Sequence, residues 1–217
     1  YGGGRNQYLA LAFINNLKNE LQHDLGELTK VYTFHGYCHF LLRKYYKLRL
    51  GLQDNFEYYP SLIKLIKSDW EIIDKNEAPH FSGLMRSTNS DNSLKFFLIR
   101  GNYYNTIGYD DSVYRVFKAL SNNKCTTDKY KLIIVDEYQD FNQLETSILS
   151  FISVYNPILI VGDDDQALYC QLRNSNPDFI RKLFNDGEYE FFELPFCLRC
   201  PNAVIEAFKK FVESAKK

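Results

Sequence analysis

Two short, wholly apolar runs that end in acidic residues constrain the fold of this chain more than any other feature. Residues 132–135 are all Leu, Ile or Val and lead directly into Asp136 and Glu137, and residues 158–161 lead into a glycine and three aspartates. Such runs are typical of strands that are buried on both faces of a parallel sheet. Because parallel strands end at one sheet edge, where open α/β sheets bind ligands, we expect the acids to gather there.

Strand and helix patterns alternate before residue 52 and after residue 127. Short apolar runs predict the strands, and helical spacing of apolar residues predicts the helices. The predicted strands are 8–13, 31–34, 131–135, 158–161 and 189–193, and the predicted helices are 15–25, 35 to about 51, 143–154, 177–183 and 202–212. This order predicts an α/β fold that has a parallel sheet with helices on both faces.

Residues 52–127 interrupt this alternation. Pro60 opens an amphipathic pattern that continues through Ile73, and residues 112–120 predict another helix. Residues 80–91 are rich in Gly, Ser and Asn, which predicts a loop. We therefore expect a mainly helical insertion in the α/β domain.

Composition narrows the partners and the compartment. The formal net charge of -1 gives no net attraction to nucleic acid, so such binding needs a local basic face or residues outside this chain. Five cysteines, no signal peptide and no long apolar run indicate a cytoplasmic protein without a membrane segment. Cys197 and Cys200 have a metal-pair spacing, but no second pair completes a zinc site.

The first acidic pair suits a metal ion and a hydrolytic water. At the end of a buried strand, Asp136 can hold Mg²⁺ through water and Glu137 can orient an attacking water, which is the Walker B arrangement. A solvated turn or a helix cap is the alternative. Gln139 and Asp140, which follow the pair, weaken that alternative.

The second acidic loop carries an amide as well as carboxylates. Gln166 follows the three aspartates, and it would reach a phosphate or its attacking water if the two strands are neighbours. A calcium loop is the alternative, but the D-x-D-x-D-G spacing and the closing Glu of an EF-hand are absent.

Together these residues resemble the UvrD/Rep-like superfamily 1 helicases, in which D-E-x-Q-D and G-D-x-x-Q-x-[IL]-Y motifs follow one another at about this separation. Three other segments resemble the L-T-F-T-N-K, T-F-H-S and L-x-x-N-Y-R-S motifs of that family. The matching segments, in the family's order, are 11–16, 33–38, 136–140, 162–169 and 194–201. The resemblance implies a P-loop NTPase (RecA-like) fold that uses ATP and Mg²⁺.

The resemblance also implies a role for individual residues. Asp136 would bind Mg²⁺, and Glu137 would act as the general base that polarises the hydrolytic water. Gln166 would sense the γ-phosphate. Arg199 would contact the γ-phosphate from a second motor domain, as an arginine finger does; the alternative for Arg199 is a surface residue at a helix start.

For a DNA partner, single-stranded or partly duplex, the resemblance points to Phe13, Phe34 and His35. Their family counterparts lie along the single-strand path, where aromatic faces can stack on bases. For each residue the alternative is a core aromatic or a satisfied core histidine. The resemblance divides the chain into a RecA-like motor domain at 1–51 and 128–194, the insertion at 52–127, and the start of a second motor domain at 195–217.

The chain departs from the family pattern in several places. The G-x-x-x-x-G-K-[ST] phosphate loop is missing, which predicts poor nucleotide affinity and an Mg²⁺ only half-coordinated by this chain alone. Ala12 and Ile14 replace two hydroxyl residues, Gln171 stands where the family has a base-stacking aromatic, and Leu198 stands where an aromatic would stack on adenine. The expected function is an ATP-dependent DNA helicase or translocase of which this chain is a part. The alternative is a helicase-like module that only binds or acts as a scaffold.

Overall fold

The computed structural model of the chain describes residues 7–13, 15–89, 91–122, 127–167 and 174–215. The chain divides into two compact units, Tyr1–Arg181 and Lys182–Lys217. The strands, in chain order, are β1 (Tyr8–Ala12), β2 (Thr29–Thr33), β3 (Glu57–Tyr58), β4 (Thr106–Ile107), β5 (Leu132–Val135) and β6 (Ile158–Ile160). The helices are α1 (Asn15–Leu25), α2 (Phe34–Lys44), α3 (Leu62–Ile73), α4 (Phe81–Met85), α5 (Asn92–Tyr104), α6 (Tyr109–Ser121), α7 (Gln143–Ser153), α8 (Asp178–Asn185) and α9 (Asn202–Ala215).

The larger sheet of the first unit has four parallel strands in the order β2-β1-β5-β6. The chain runs from β1 outward to β2 and later returns to the other side of β1 with β5. This reversal creates a topological switch point between β1 and β5, at which open α/β sheets bind their ligands. The predicted parallel sheet flanked by helices is therefore confirmed.

Strand β1 shows why the sheet needs cover on both faces. Its residues Leu9 to Ala12 are 0% exposed, although successive side chains of a strand point to opposite faces. Helix α1 packs against β1 and β2, and α2 packs against the same two strands. Burial of these apolar side chains, at about 25 cal/mol per Å² removed from water, is the main force that holds the sheet.

Side-chain caps fix the starts of two helices that follow the sheet edge. The Thr33 hydroxyl accepts a hydrogen bond from the Gly36 N–H at 3.1 Å, which begins α2 directly after β2. At the start of α7, Asn142 and Glu145 form a reciprocal capping box, with distances of 2.9 and 3.0 Å. The direction in which the chain leaves the edge is therefore set by local hydrogen bonds.

Helix α6 connects the segment between residues 52 and 127 to the helices around the sheet, because it packs against α2, α4 and α7. Arg115 in the middle of α6 is completely buried and bonds to Asp111, to Asn102 and to the carbonyl oxygens of Arg49 and Leu98. Within this segment, β3 and β4 form a short parallel pair. Domain boundaries inside the chain stay predictions.

The structure differs from the predicted elements at residues 189–193 and within 80–91, and it adds α5 and the β3–β4 pair, which the sequence did not predict. Residues 189–193 form no strand within the described chain, and Phe192 there is 79% exposed. An apolar run forms a strand only when a neighbouring strand takes up its hydrogen bonds. Helix α4 lies within the predicted loop 80–91, because Phe81 and Met85 bury their side chains.

No helix in the described parts of the chain has both the length and the apolar character needed to cross a membrane. The second unit contains the end of α8 and all of α9. Within it, the Phe184 and Phe191 rings contact each other with centroids 3.6 Å apart. The family-pattern position Gln171 and the residue Ile14 lie outside the described residues.

Candidate functional site

The acids that follow β5 lie at the carboxyl edge of the sheet, beside the switch point. Backbone hydrogen bonds hold this loop on both sides: the Asp136 N–H donates to the Leu11 carbonyl at 3.0 Å, and the Tyr138 N–H donates to the Val161 carbonyl at 3.1 Å. Val161 in turn donates to the Val135 carbonyl at 2.8 Å. The loop after β5 is therefore fixed between the ends of β1 and β6.

Asp136 and Glu137 are half-buried, and the backbone between them is constrained. The Asp136 Oδ1 atom accepts a hydrogen bond from the Glu137 N–H at 3.0 Å. Glu137 has φ 53° and ψ 44°, which lie in the left-handed region of backbone conformation that residues other than glycine rarely adopt. Such strain often marks a functional residue.

The loop after β6 meets the acidic pair through one side chain. The Gln139 amide donates from Nε2 to Glu137 Oε2 at 2.6 Å, and its Oε1 atom accepts from the Asp163 N–H at 3.1 Å. The Asp163 carboxylate then accepts from Gln166 Nε2 at 2.6 Å and from the Asp165 N–H at 3.1 Å. Glu137 and Gln166, which the sequence predicted at one edge, are therefore joined by hydrogen bonds.

The outer part of the second loop is tied to α8. Arg181 Nε donates to Asp164 Oδ2 at 2.6 Å, and this hydrogen bond lowers the pKa of Asp164 below its ordinary value. Both side chains are about half exposed, so solvent weakens the attraction between them. This ion pair positions the loop and contributes little to stability.

The donor atoms at this edge fit a magnesium ion bound together with a nucleotide. No cluster of three or more His, Cys, Asp or Glu side chains with metal-site geometry occurs in the described residues. Mg²⁺ in nucleotide hydrolases takes one or two carboxylates and completes its shell with phosphate oxygens and water. The Asp136 carboxylate beside Glu137 matches this need for a hard oxygen ligand.

Arg199 lies in the second compact unit, in the turn before α9, and it is exposed. Leu198 beside it is 96% exposed. The role of Arg199 at a phosphate stays a prediction.

The three predicted DNA-contact residues have different environments. Phe34 is 2% exposed and packs edge-on against Phe141 with centroids 5.2 Å apart, so its ring belongs to the core and presents no face to a base. Phe13 is half-buried, with its centroid 6.4 Å from that of Phe141. His35 is half-buried at the start of α2, and Nδ1 lies 3.9 Å from Glu145 Oε1.

The ring of His35 lies flat against Tyr109 of α6, with centroids 3.7 Å apart and planes inclined by 16°. Tyr109 is 44% exposed. A cavity of about 180 Å³ adjoins this pair and is lined by Thr33, His35, Gly36, His39, Tyr58, Tyr109 and Ser112. Burial lowers the pKa of His39 in the cavity wall, and the neighbouring Arg43 charge acts in the same direction.

Sequence reasoning missed Tyr109 at this edge, whereas it had singled out Gln139. Tyr109 was read as part of an insertion, and nothing in its local pattern connects it with His35. Gln139 carried a signal, since it belongs to the D-E-x-Q-D pattern, but its bridging contacts depend on the neighbouring strand.

Comparison with known proteins supports the resemblance to UvrD/Rep-like helicases. A family model described as the UvrD/REP helicase N-terminal domain matches residues 74–188, which is more than half of the chain. A probable DNA helicase II homolog from Mycoplasma capricolum is 28% identical over 205 residues, covering 74% of this chain and 28% of that protein. The ATP-dependent DNA helicase Rep from Buchnera aphidicola is 25% identical over 186 residues, covering 71% of this chain and 27% of that protein.

DNA helicase II from Escherichia coli is 23% identical over 216 residues and covers 82% of this chain. The chain spans less than a third of the length of each of these relatives. The matched residues include both acidic loops and Gln139. By this match, the chain belongs to the UvrD/REP helicase N-terminal domain family.

Proposed function

We propose that this chain is the metal-binding and hydrolysis side of an ATP-dependent DNA helicase or translocase. The observation that carries the proposal is the hydrogen-bonded connection of Glu137 with Gln166 at adjacent strand ends, beside Asp136. Acids from a solvated turn would not need a buried amide to hold them against the neighbouring loop.

The family pattern gives each residue a role in this proposal. Asp136 would hold Mg²⁺, which would neutralise charge on the nucleotide phosphates. Glu137 accepts a proton from the attacking water, and Gln166 contacts the γ-phosphate or that water. Arg199 supplies positive charge from the second motor domain.

The DNA partner, in single-stranded or partly duplex form, would pass over the same edge on the side of β1 and β2. Phe13 and the stacked pair of His35 and Tyr109 supply the aromatic surface there. Because the inner face of Tyr109 covers His35, we propose that a base stacks on the outer, exposed part of Tyr109. Phe34 contributes to the core instead.

The cysteines agree with the cytoplasmic location that we propose. In the described parts of the chain, Cys38, Cys197 and Cys200 are free thiols. Reducing compartments keep thiols in this state.

DNA-stimulated ATP hydrolysis by the full-length protein that contains this chain tests the proposal. Glu137→Gln should reduce kcat by at least about 100-fold, since it removes the proton acceptor. Glu71→Gln, on the exposed surface of α3, is the matched control and should leave kcat unchanged. Equal turnover by the wild type and Glu137→Gln would refute the hydrolytic role.

Binding measurements separate the helicase from a module that only binds. A helicase should bind ATP in the presence of Mg²⁺ and hydrolyse it faster with oligo(dT). A protein that binds the oligonucleotide but neither binds nor hydrolyses ATP would instead be a scaffold. Tyr109→Ala should weaken oligonucleotide binding by about 5- to 150-fold, because one stacked base contributes about 1–3 kcal/mol.

A further inference from the structure

Gln139 is a buried amide at the centre of the edge, with a partner at each end of its side chain. It is 1% exposed and lies in a short 3₁₀ turn, Tyr138–Asp140. Its nitrogen donates to the Glu137 carboxylate, and its oxygen accepts from the backbone of Asp163. A buried amide whose groups are satisfied in this way holds its neighbours in one geometry.

The close approach of the two loops depends on Gly162. A Cβ atom at this position would lie 2.7 Å from Gln139 Oε1, 2.8 Å from Ile180 Cδ1 and 3.2 Å from the Tyr138 nitrogen. Any other residue would therefore displace the Gln139 amide or the backbone beside it. The glycine leaves the space that the Gln139 bridge occupies.

The bridge forms part of a longer path between the two loops. From Glu137 it runs through Gln139 to the backbone of Asp163, whose carboxylate accepts from Gln166. A displacement of the Asp163 loop, which follows β6, therefore pulls on the amide that holds Glu137. The Tyr138 to Val161 backbone bond keeps the two loops in register beside this path.

We infer that Gln139 is a positioning residue: its carboxamide fixes the orientation of the Glu137 carboxylate and couples it to the loop that carries Gln166. This inference rests on the proposed hydrolytic function. Gln139 would not touch the nucleotide, and its effect on turnover would act through Glu137.

The first test is steady-state ATP hydrolysis by the full-length protein with Gln139→Leu. This substitution introduces an apolar side chain of similar size and removes both hydrogen bonds. We expect kcat to fall about 10- to 100-fold, as for a misplaced reacting group, while KM for ATP changes less than about twofold. Gln139→Glu, which keeps the shape but loses the donor, should cause a similar loss and serves if Gln139→Leu does not fold.

Asn156→Leu is the matched control, because Asn156 is another buried amide that bridges two elements away from the edge. It is 5% exposed, accepts from the Tyr130 N–H at 2.6 Å and donates to the Ile152 carbonyl at 2.7 Å. Its replacement should lower the melting temperature about as much as Gln139→Leu while leaving kcat near the wild-type value. Equal kcat losses in the two variants would show that Gln139 is only structural.

A double-mutant cycle tests the route of the effect. In the Glu137→Gln background, Gln139→Leu should lower the remaining single-turnover rate less than about twofold, since the group that it positions is already absent. A full additional loss in that background would overturn the inference.

Amide hydrogen exchange of this chain gives a readout that needs no nucleotide. The Asp163 amide should exchange faster in Gln139→Leu than in the wild type, because its acceptor has been removed. Unchanged exchange would contradict the bridge itself. If the wild type hydrolyses ATP and Glu137→Gln does not, but Gln139→Leu keeps full turnover, the inference fails while the proposed function stands.

Discussion

Replacing Arg115 by methionine should destabilise the first unit more than any loss of a surface ion pair. Arg115 is 0% exposed, and its guanidinium donates to Asp111 Oδ2 at 3.2 Å, to Asn102 Oδ1 and the Arg49 carbonyl at 2.9 Å, and to the Leu98 carbonyl at 3.4 Å. Methionine fills part of the space but replaces none of these donors. Arg115→Met therefore removes the shared donor of a buried carboxylate, one side-chain amide oxygen and two backbone carbonyl oxygens.

The expected loss is about 3–5 kcal/mol, the usual cost of removing one member of a buried ion pair. Burial already raises the pKa of Asp111 to about 6, although Arg115 and the Gly108 N–H favour its charged form. Without Arg115 this carboxylate would pay its desolvation cost uncompensated or bind a proton. Either route costs a large part of the 5–15 kcal/mol typical of a folded domain.

Urea unfolding at pH 7.5, followed by circular dichroism and by the fluorescence of the single tryptophan, Trp70, measures this loss. Arg181→Met is the matched control, because Arg181 is 50% exposed and solvent screens its pair with Asp164, so its replacement should leave the free energy of unfolding almost unchanged. A loss below about 1 kcal/mol for Arg115→Met, or one equal to the control, would refute the reasoning.

Two further predictions concern titratable groups. Burial opposes ionisation of Asp128, but hydrogen bonds from Lys44 (2.5 and 2.7 Å) and the Tyr45 hydroxyl (2.5 Å) outweigh it and hold the pKa of Asp128 below its ordinary value. Asp128→Asn should therefore lower the free energy of unfolding by about 1 kcal/mol at pH 7. The difference between wild type and variant should shrink as the pH falls below about 4, through the lowered pKa of Asp128 in the folded state. A difference that stays constant with pH in urea titrations would contradict this prediction. Backbone N–H groups of Cys200 and Arg199 lower the pKa of the Cys197 thiol, whereas the hydrogen bond to Cys197 raises the pKa of Cys200. Iodoacetamide at pH 7 should therefore label Cys197 first, as measured by mass spectrometry. Equal labelling of the two thiols would argue against this difference.

The acidic edge was predictable from the sequence because its signals are local. An apolar run that ends in Asp136 and Glu137 specifies both a buried strand and the position of its acids. The same reasoning failed for the aromatic-rich residues 189–193, since a local pattern does not reveal whether a neighbouring strand exists. Phe34 shows a related limit, because its place in a motif does not state whether its ring turns toward the core or toward the surface.

The contacts that join distant segments were not predictable in this way. Tyr109 reaches His35 only because α6 packs against α2. Gln139 reaches Asp163 only because β5 and β6 are neighbours and Gly162 leaves room. Such contacts follow from tertiary packing, which one sequence does not reveal.

The left-handed backbone at Glu137 makes a prediction whose sign is unusual. Alanine normally stabilises a protein relative to glycine, by roughly 0.5–1 kcal/mol in helices and strands. At φ 53° and ψ 44°, however, a Cβ atom costs about 1–2 kcal/mol, and glycine removes this cost. Glu137→Gly should therefore be as stable as Glu137→Ala or more stable, by up to about 1 kcal/mol, although both variants lack the carboxylate.

The exposed Ser150 position on α7 provides the matched comparison, because its backbone is helical. There the glycine variant should be less stable than the alanine variant by about 1 kcal/mol. Urea unfolding of the four variants measures both differences. If glycine is the less stable residue at both positions by the same amount, Glu137 does not hold a strained backbone in solution. If the order differs between the two positions, the chain tolerates an unfavourable backbone conformation at Glu137, the residue to which we assign proton transfer.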